Sequence, residues 1–458
     1  MIVSTRRLVA VAGVAVLSAA AFGKADLGLA AATIPKIQFT DTKLKNGLRV
    51  IISEDRSAPV FSVAVTYDVG SRDERKGRTG FAHLFEHMMF KGSENVGSNE
   101  HPHLIFANGG TMNGTTNKDR TLYYETLPAN QLDLALFLEA DRMRSLEITK
   151  ENLENQRQAV KEERRLRVDN QPYGRVFEAL EELAYENFAY EHSVIGSMAD
   201  LDAATVEDVA SFFKTYYAPN NAVLTIVGDF DAKTTLEKVR KYFESIPSQP
   251  APPAVDMAEP AQKEERRTTL EDPLARLPRI DMAYKIPDSS SPDQDALEVL
   301  STVLSGGRSS RFYEQILRQK QLSSGPVSAG PDGARGPGLF MVVATVAPGK
   351  SVSDLEMAID AETERIKAGP IEDWEMQKAR NAARSGLVGS LGSSLSRAVQ
   401  LGQYALFDNE PGKINTRADA IAKVTAADVQ RVAKQYLVPT GRTVVVTVPK
   451  AAPAKGDL

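Results

Sequence analysis

Of the chain's five histidines, two flank a glutamate in the run Gly80-Phe81-Ala82-His83-Leu84-Phe85-Glu86-His87-Met88-Met89-Phe90. On a helix, residues four apart lie about 40° apart around the axis, so His83 and His87 project side by side. Two imidazoles so placed can hold one Zn²⁺ at roughly 2.1 Å each. Glu86 follows His83 by one turn on the same side, where its carboxylate can take a proton from a water beside the metal and later return it. The order is His-x-x-Glu-His, the inversion of the His-Glu-x-x-His zincin motif. Two histidines at this spacing around a glutamate, inside an otherwise apolar helix, favour a metal site over a pair of packed or surface residues.

A catalytic zinc needs a third protein ligand and one open position. His101-Pro102-His103, with its proline and i,i+2 spacing, reads as an exposed polar loop. His192, after Tyr190-Glu191, reads as a hydrogen-bonding residue of a turn. The remaining candidates are carboxylates in the charged stretch 150–185, among them Glu151, Glu154, Glu162 and Glu163. Most acidic residues on such a helix belong to its solvated face. Residue types and spacing alone do not choose among the four.

The elements that must position these groups can be outlined. Residues 48–52 and 61–67 are strand-like apolar runs, punctuated by Ser57-Ala58-Pro59, and 79–90, 129–146 and 150–185 have helical patterns. The chain also repeats itself. Thr205, Asp208, Val209, Tyr216 and Pro219 recur as Thr425, Asp428, Val429, Tyr436 and Pro439, all at one offset of 220 residues. Each copy predicts a helix capped by Thr with Asp at N3, then a Pro-bearing turn and a buried strand, at 223–227 and 443–447. The segment from Pro247-Ser248-Gln249-Pro250-Ala251-Pro252-Pro253 to Pro260 suits neither a helix nor a central strand, and predicts a linker over 247–262. The expected organisation is therefore two homologous halves, 33–246 and 263–450, with a tail at 451–458. The fold class is α+β, each half an antiparallel-rich sheet covered by helices. Shifted by the repeat offset, the zinc motif falls near Val303-Leu304-Ser305-Gly306-Gly307, which has no ligands, so the metal belongs to the first half alone.

Composition narrows the setting. With 55 Lys+Arg against 60 Asp+Glu, the net charge of −5 offers no overall attraction to nucleic acid or anionic lipid. The absence of cysteine excludes disulfide scaffolds, thiolate metal sites and thiol catalysis. Arg6-Arg7, the uncharged run 8–23 and small residues at Ala25 and Ala32 describe a secretory signal peptide over 1–32, cleaved after Ala25 or Ala32. The apolar run is short for a stable membrane span, the alternative being a retained anchor. The expected location is the periplasm.

The motif and its surroundings resemble the pitrilysin/insulinase family of zinc peptidases, the inverzincins, whose short two-domain branch includes the mitochondrial processing peptidase. The residues carrying the resemblance are His83 to His87, Asn46-Gly47-Leu48, Gly70-Ser71-Arg72-Asp73-Glu74, Gly109-Gly110-Thr111-Met112-Asn113 and Tyr217-Ala218-Pro219-Asn220-Asn221. It implies a zinc-dependent endopeptidase with one Zn²⁺ per chain, Glu86 as catalytic base and each chain folded as half a clamshell around peptides or unfolded segments. It assigns the third ligand to Glu163, 76 residues past His87 and six past Arg157, with Glu162 as the fallback. The sequence departs from the pattern at Gln156, where many relatives carry an acidic residue. Asn113 and Gly114 correspond to the sheet edge that binds substrate as an added strand. Arg318 corresponds to the arginine of a substrate-gripping Arg/Tyr pair, but Ser324 stands where the tyrosine falls. That loss implies a companion subunit of the same fold supplying the pair, or otherwise a homodimer. The rival readings are a non-catalytic subunit of the same fold and a zinc hydrolase acting on another acyl bond.

Overall fold

The computed structural model describes residues 35–450; the expected signal peptide and the tail lie outside them. The first sheet contains β1 (Thr40–Lys43), β2 (Arg49–Glu54), β3 (Val60–Tyr67), β4 (Thr111–Thr116), β5 (Thr121–Pro128) and β6 (Ala222–Gly228), in the order β1-β2-β6-β3-β5-β4. The second contains β7 (Arg266–Asp272), β8 (Arg279–Ile286), β9 (Ser328–Asp332), β10 (Gly338–Thr345) and β11 (Arg442–Pro449), in the order β7-β11-β8-β10-β9. Setting β1 aside, the two orders are the same, with one parallel pair each, β2–β6 and β7–β11, and antiparallel pairs elsewhere. The fold is α+β with two like halves. Helices Val206–Tyr216 and Ala426–Tyr436 both begin with a reciprocal cap between threonine (Thr205, Thr425) and the aspartate at N3 (Asp208, Asp428).

Among the first half's helices, four lead to the site: α1 (Phe81–Met88), α2 (Glu100–Ala107), α3 (Leu132–Arg144) and α4 (Lys150–Arg164). The stretch 150–185, expected as one long helix, is broken. α4 runs into a π-helical turn at Arg165–Asp169, and α5 (Val176–Ala184) starts afresh. Pro172 removes a helical donor and Tyr173 takes a left-handed φ of 63°, so the chain cannot continue straight.

The break has an architectural consequence. α5 turns away from its own half, burying Val176, Leu180 and Ala184 at helical spacing against Ala283, Leu339 and Val445 of the second sheet. The exchange is reciprocal. Helix Ser394–Phe407 of the second half lays Ala398, Leu401 and Ala405 against Ile51, Ala64, Leu122, Val223 and Val227 of the first sheet. Its Gly402 lets it come close: a β-carbon there would stand 3.0 Å from Thr66 Oγ1. Each sheet thus keeps its own helices on one face and borrows one for the other. Segment 247–262 carries no helix or strand, yet it is strapped down. Glu259 accepts from the Asn187 N–H at 3.0 Å and pairs with Lys285 at 2.6 Å. Among the described residues no helix is long and apolar enough to cross a membrane.

Candidate metal centre

α1 is seated before it is functional. The buried Glu74 carboxylate accepts from the backbone N–H groups of Gly80 (2.9 Å) and Ala82 (2.7 Å), satisfying two donors that a helix start leaves open. His192 Nε2 meets the same carboxylate at 3.0 Å, while its Nδ1 meets Phe188 O at 2.8 Å. Gly80 holds φ 83°, and a β-carbon there would fall 2.6 Å from Ile195 O, so only glycine fits this entry. The apolar face of α1 then anchors it: Phe81, Leu84, Phe85 and Met88 are buried, with the Phe85 ring 4.2 Å from that of Tyr217. His83 and His87 are left on the opposite side, ring centroids 4.9 Å apart.

α4 packs across α1 through buried Leu153, Gln156 and Val160, bringing Glu163 to the histidines near its C-terminal end. Glu163 Oε2 lies 3.5 Å from His83 Nε2 and 3.3 Å from His87 Nε2. One ligand atom from each of the three falls within 4.8 Å of the others. Glu162 points away, largely exposed and paired with Arg165 at 2.9 Å. Glu151 is exposed in the first turn of α4, and Glu154 pairs with Arg157. Gln156 is buried against Asn155 and takes no part in the cluster.

The donor chemistry fits a divalent ion. Burial, reinforced by neighbouring His87, lowers the His83 pKa to about 4, so this ring offers a lone pair at neutral pH. Glu163 is held below its ordinary value, chiefly by the hydrogen bond from His87, and so offers an anion. Two imidazoles and one carboxylate match the three-ligand set that catalytic zinc sites use. His83 Nδ1 is buried without a protein partner.

Glu86 sits beside this set, 8% exposed. Burial raises its pKa, opposed by a hydrogen bond from Thr116, whose Oγ1 donates to Glu86 Oε2 at 2.6 Å. Thr116 and Gly114 occupy the same face of β4, and β4 ends the sheet with an unpaired edge. A β-carbon at Gly114 would lie 2.9 Å from Glu86 Cγ, which is why the strand can press this close only with glycine. Asn113 is exposed on the other face. Thr116 was not singled out from sequence, although threonine two residues past Gly114 must share its face.

The structure brings His83, Glu86, His87, Glu163 and Gly114 together. Arg318 is not among them: it lies on a π-helical turn at Tyr313–Gln319, ion-paired with Glu314 of that turn.

His101 corrects an expectation. The tripeptide expected as an exposed loop forms the first turn of α2, where Pro102 costs no hydrogen bond, and His101 is 4% exposed. With Glu125 and Glu139 it makes a second His/Glu grouping. Arg142, bonded through two nitrogens to Glu139, already supplies the cation there. Burial lowers His101 to about 3 and raises Glu125 to about 8, so both are neutral at pH 7.

Comparison with known proteins gives the family and the fold. The profile described as Insulinase (Peptidase family M16) matches residues 49–198, and that described as Peptidase M16 inactive domain matches 203–383. The zinc protease PqqE of Helicobacter pylori is 31% identical over 409 residues, covering 89% of this chain and 92% of that protein. A probable mitochondrial-processing peptidase subunit beta of Arabidopsis thaliana is 27% identical, covering 86% and 76%. Among solved structures, a protease from Helicobacter pylori superposes with TM-score 0.86 at 31% identity, covering 90% of this chain and all of that one. The first half of the periplasmic protease PqqL from Escherichia coli shares the fold with TM-score 0.74 at 19% identity, covering 92% and 94%. The chain belongs to peptidase family M16.

Proposed function

We propose that this protein is a zinc-dependent endopeptidase acting on peptides or unfolded segments. The observation that carries the reading is the convergence of His83, His87 and Glu163 beside the buried carboxylate of Glu86. His83, His87 and Glu163 would hold a zinc ion, which would supply Lewis acidity and lower the pKa of a nearby water. Glu86 takes the water's proton as the new carbon–oxygen bond forms, then delivers it to the leaving amine as the carbon–nitrogen bond breaks. Thr116 holds one oxygen of Glu86 and leaves the other free for this transfer. The open edge of β4 around Gly114 aligns the peptide by main-chain pairing.

The chain's Arg318 is paired on its own turn, and no tyrosine follows at position 324. This supports work as the zinc-bearing subunit of a heterodimer whose companion completes the substrate grip. The relative named periplasmic in Escherichia coli and the leader-like start favour an exported protein. Metal analysis with peptide cleavage, with and without the candidate companion, tests the reading. One zinc per chain and cleavage abolished by Glu86→Gln are expected; a Glu86→Gln protein that keeps metal and full activity overturns it.

A further inference from the structure

The turn joining β4 to β5 carries three charged residues, and two of them are committed. Lys118 pairs with Glu181 at 2.7 Å. Asp119 accepts from Arg72, from the Tyr190 hydroxyl at 2.8 Å and from the Arg335 N–H at 3.0 Å. Arg120 is different. Its Nη1 donates to Thr115 Oγ1 at 3.0 Å, its Nε is buried with no hydrogen-bond partner, and no carboxylate among the described residues lies within ion-pair distance. Glu86 acts on this guanidinium electrostatically but accepts no hydrogen bond from it, so the half-buried charge keeps donor capacity for a second anion.

The hairpin register says what can supply it. The Asn117 N–H donates to Arg120 O, so these two residues form a hydrogen-bonded pair. Bonded and non-bonded pairs alternate along an antiparallel ladder. With Thr115 opposite Leu122 and Asn113 opposite Tyr124, Thr115 and Asn113 spend their backbone groups on β5. Gly114 and Thr116 turn theirs to the open edge. A peptide strand added there bonds to Gly114, and its residue opposite Gly114 shares the Glu86 face. The residue opposite Thr115 falls on the other face, its β-carbon roughly 5 Å from that of Thr115 and beside the guanidinium.

We propose that Arg120 is a specificity-determining residue: it selects peptides carrying Asp or Glu at the position of the added strand that lies opposite Thr115. This rests on the peptidase reading above. With Nη1 on Thr115 Oγ1 and Nε buried, Nη2 of Arg120 is the donor left for a carboxylate, while a neutral amide at that position offers it no charge-assisted bond.

The test uses the zinc-loaded protein, with its companion if cleavage requires one, and quenched-fluorescence peptides in which a single Glu or Gln is moved through the positions around the cleaved bond. At one position the Glu peptide should show about tenfold higher kcat/KM than the Gln peptide, the scale of one charge-assisted hydrogen bond. The ratio should fall with added salt in the wild-type protein, approach one in Arg120→Gln, and favour a Lys peptide in Arg120→Glu. Equal rates for Glu and Gln at every position overturn the proposal, as does a preference that persists in folded Arg120→Gln. If no peptide is cleaved, the peptidase reading fails on its own. Fluorescence anisotropy of the same peptides then decides the question for Arg120, equal affinities overturning it and tighter Glu-peptide binding supporting it.

Discussion

The Thr116 hydroxyl donates to Glu86 Oε2 at 2.6 Å, tying the proposed general base to the edge strand that would carry the peptide. A substrate strand seated on β4 is therefore positioned by the same element that orients the base. Thr116→Val should lower kcat by about tenfold, the cost of one charge-assisted hydrogen bond, with little change in KM or zinc content. Thr116→Ser should restore most of the loss. Steady-state kinetics beside metal analysis checks both.

Gly114 faces the same carboxylate. A methyl group there meets Glu86 Cγ at 2.9 Å and Oε1 at 3.0 Å, so Gly114→Ala must displace either the strand or the base. The expected result is a loss of at least tenfold in kcat/KM with the fold intact by circular dichroism.

Zinc retention should follow the three converging side chains. His87→Ala and Glu163→Ala should each lose bound metal on dialysis, whereas Glu162→Ala, whose carboxylate points to Arg165, should keep one equivalent. Free zinc at 100-fold its dissociation constant should stabilise the wild-type protein by about 2.7 kcal/mol, read as a shift of the unfolding midpoint. Glu163→Ala should show little of that shift.

The buried Glu125 makes stability depend on pH. Its folded pKa is raised from 4.5 to about 8 by burial, so between these values the native state keeps a proton that the unfolded chain releases. Its contribution is present below 4.5 and lost as pH rises to 8. His101 acts in the opposite sense, but only between about 3 and 6.5. From pH 6.5 to 8 the metal-free protein should lose stability relative to Glu125→Gln, in which this titration is absent. Thermal unfolding of both proteins across that window measures the difference.

The helix exchange should show as cooperativity. Ala398→Asp places a charge between the borrowed helix and the first sheet, where Ala398 is fully buried. A substitution in the second half should thus destabilise the zinc-bearing half by several kcal/mol, measured by urea unfolding with a single transition.

Much of this architecture was legible along the chain. The threonine caps at Thr205 and Thr425 and the buried strands after them depend on neighbours a few residues away, and they formed as the local pattern required. The broken stretch 150–185 was not legible as a break. Charged residues at helical spacing continue past Pro172, and only the apolar surface of the second sheet explains where α5 goes. His101 misled because a proline between polar residues is common in loops; the same proline is equally at home in a first helical turn.

By itself, the sequence determined which side chains can meet within one element: His83 and His87 share a face because four residues make one turn, and Glu86 accompanies them. It determined the duplication and the confinement of the ligand pair to the first copy. Tertiary structure decided the partners that arrive from elsewhere. Glu163, rather than Glu162, reaches the histidines because α4 packs its Leu153–Val160 face on α1. Thr116 reaches Glu86 because a glycine lets β4 lie against it. Contacts across many tens of residues depend on how packed faces are angled, and periodicity records which face is apolar but not what it will meet.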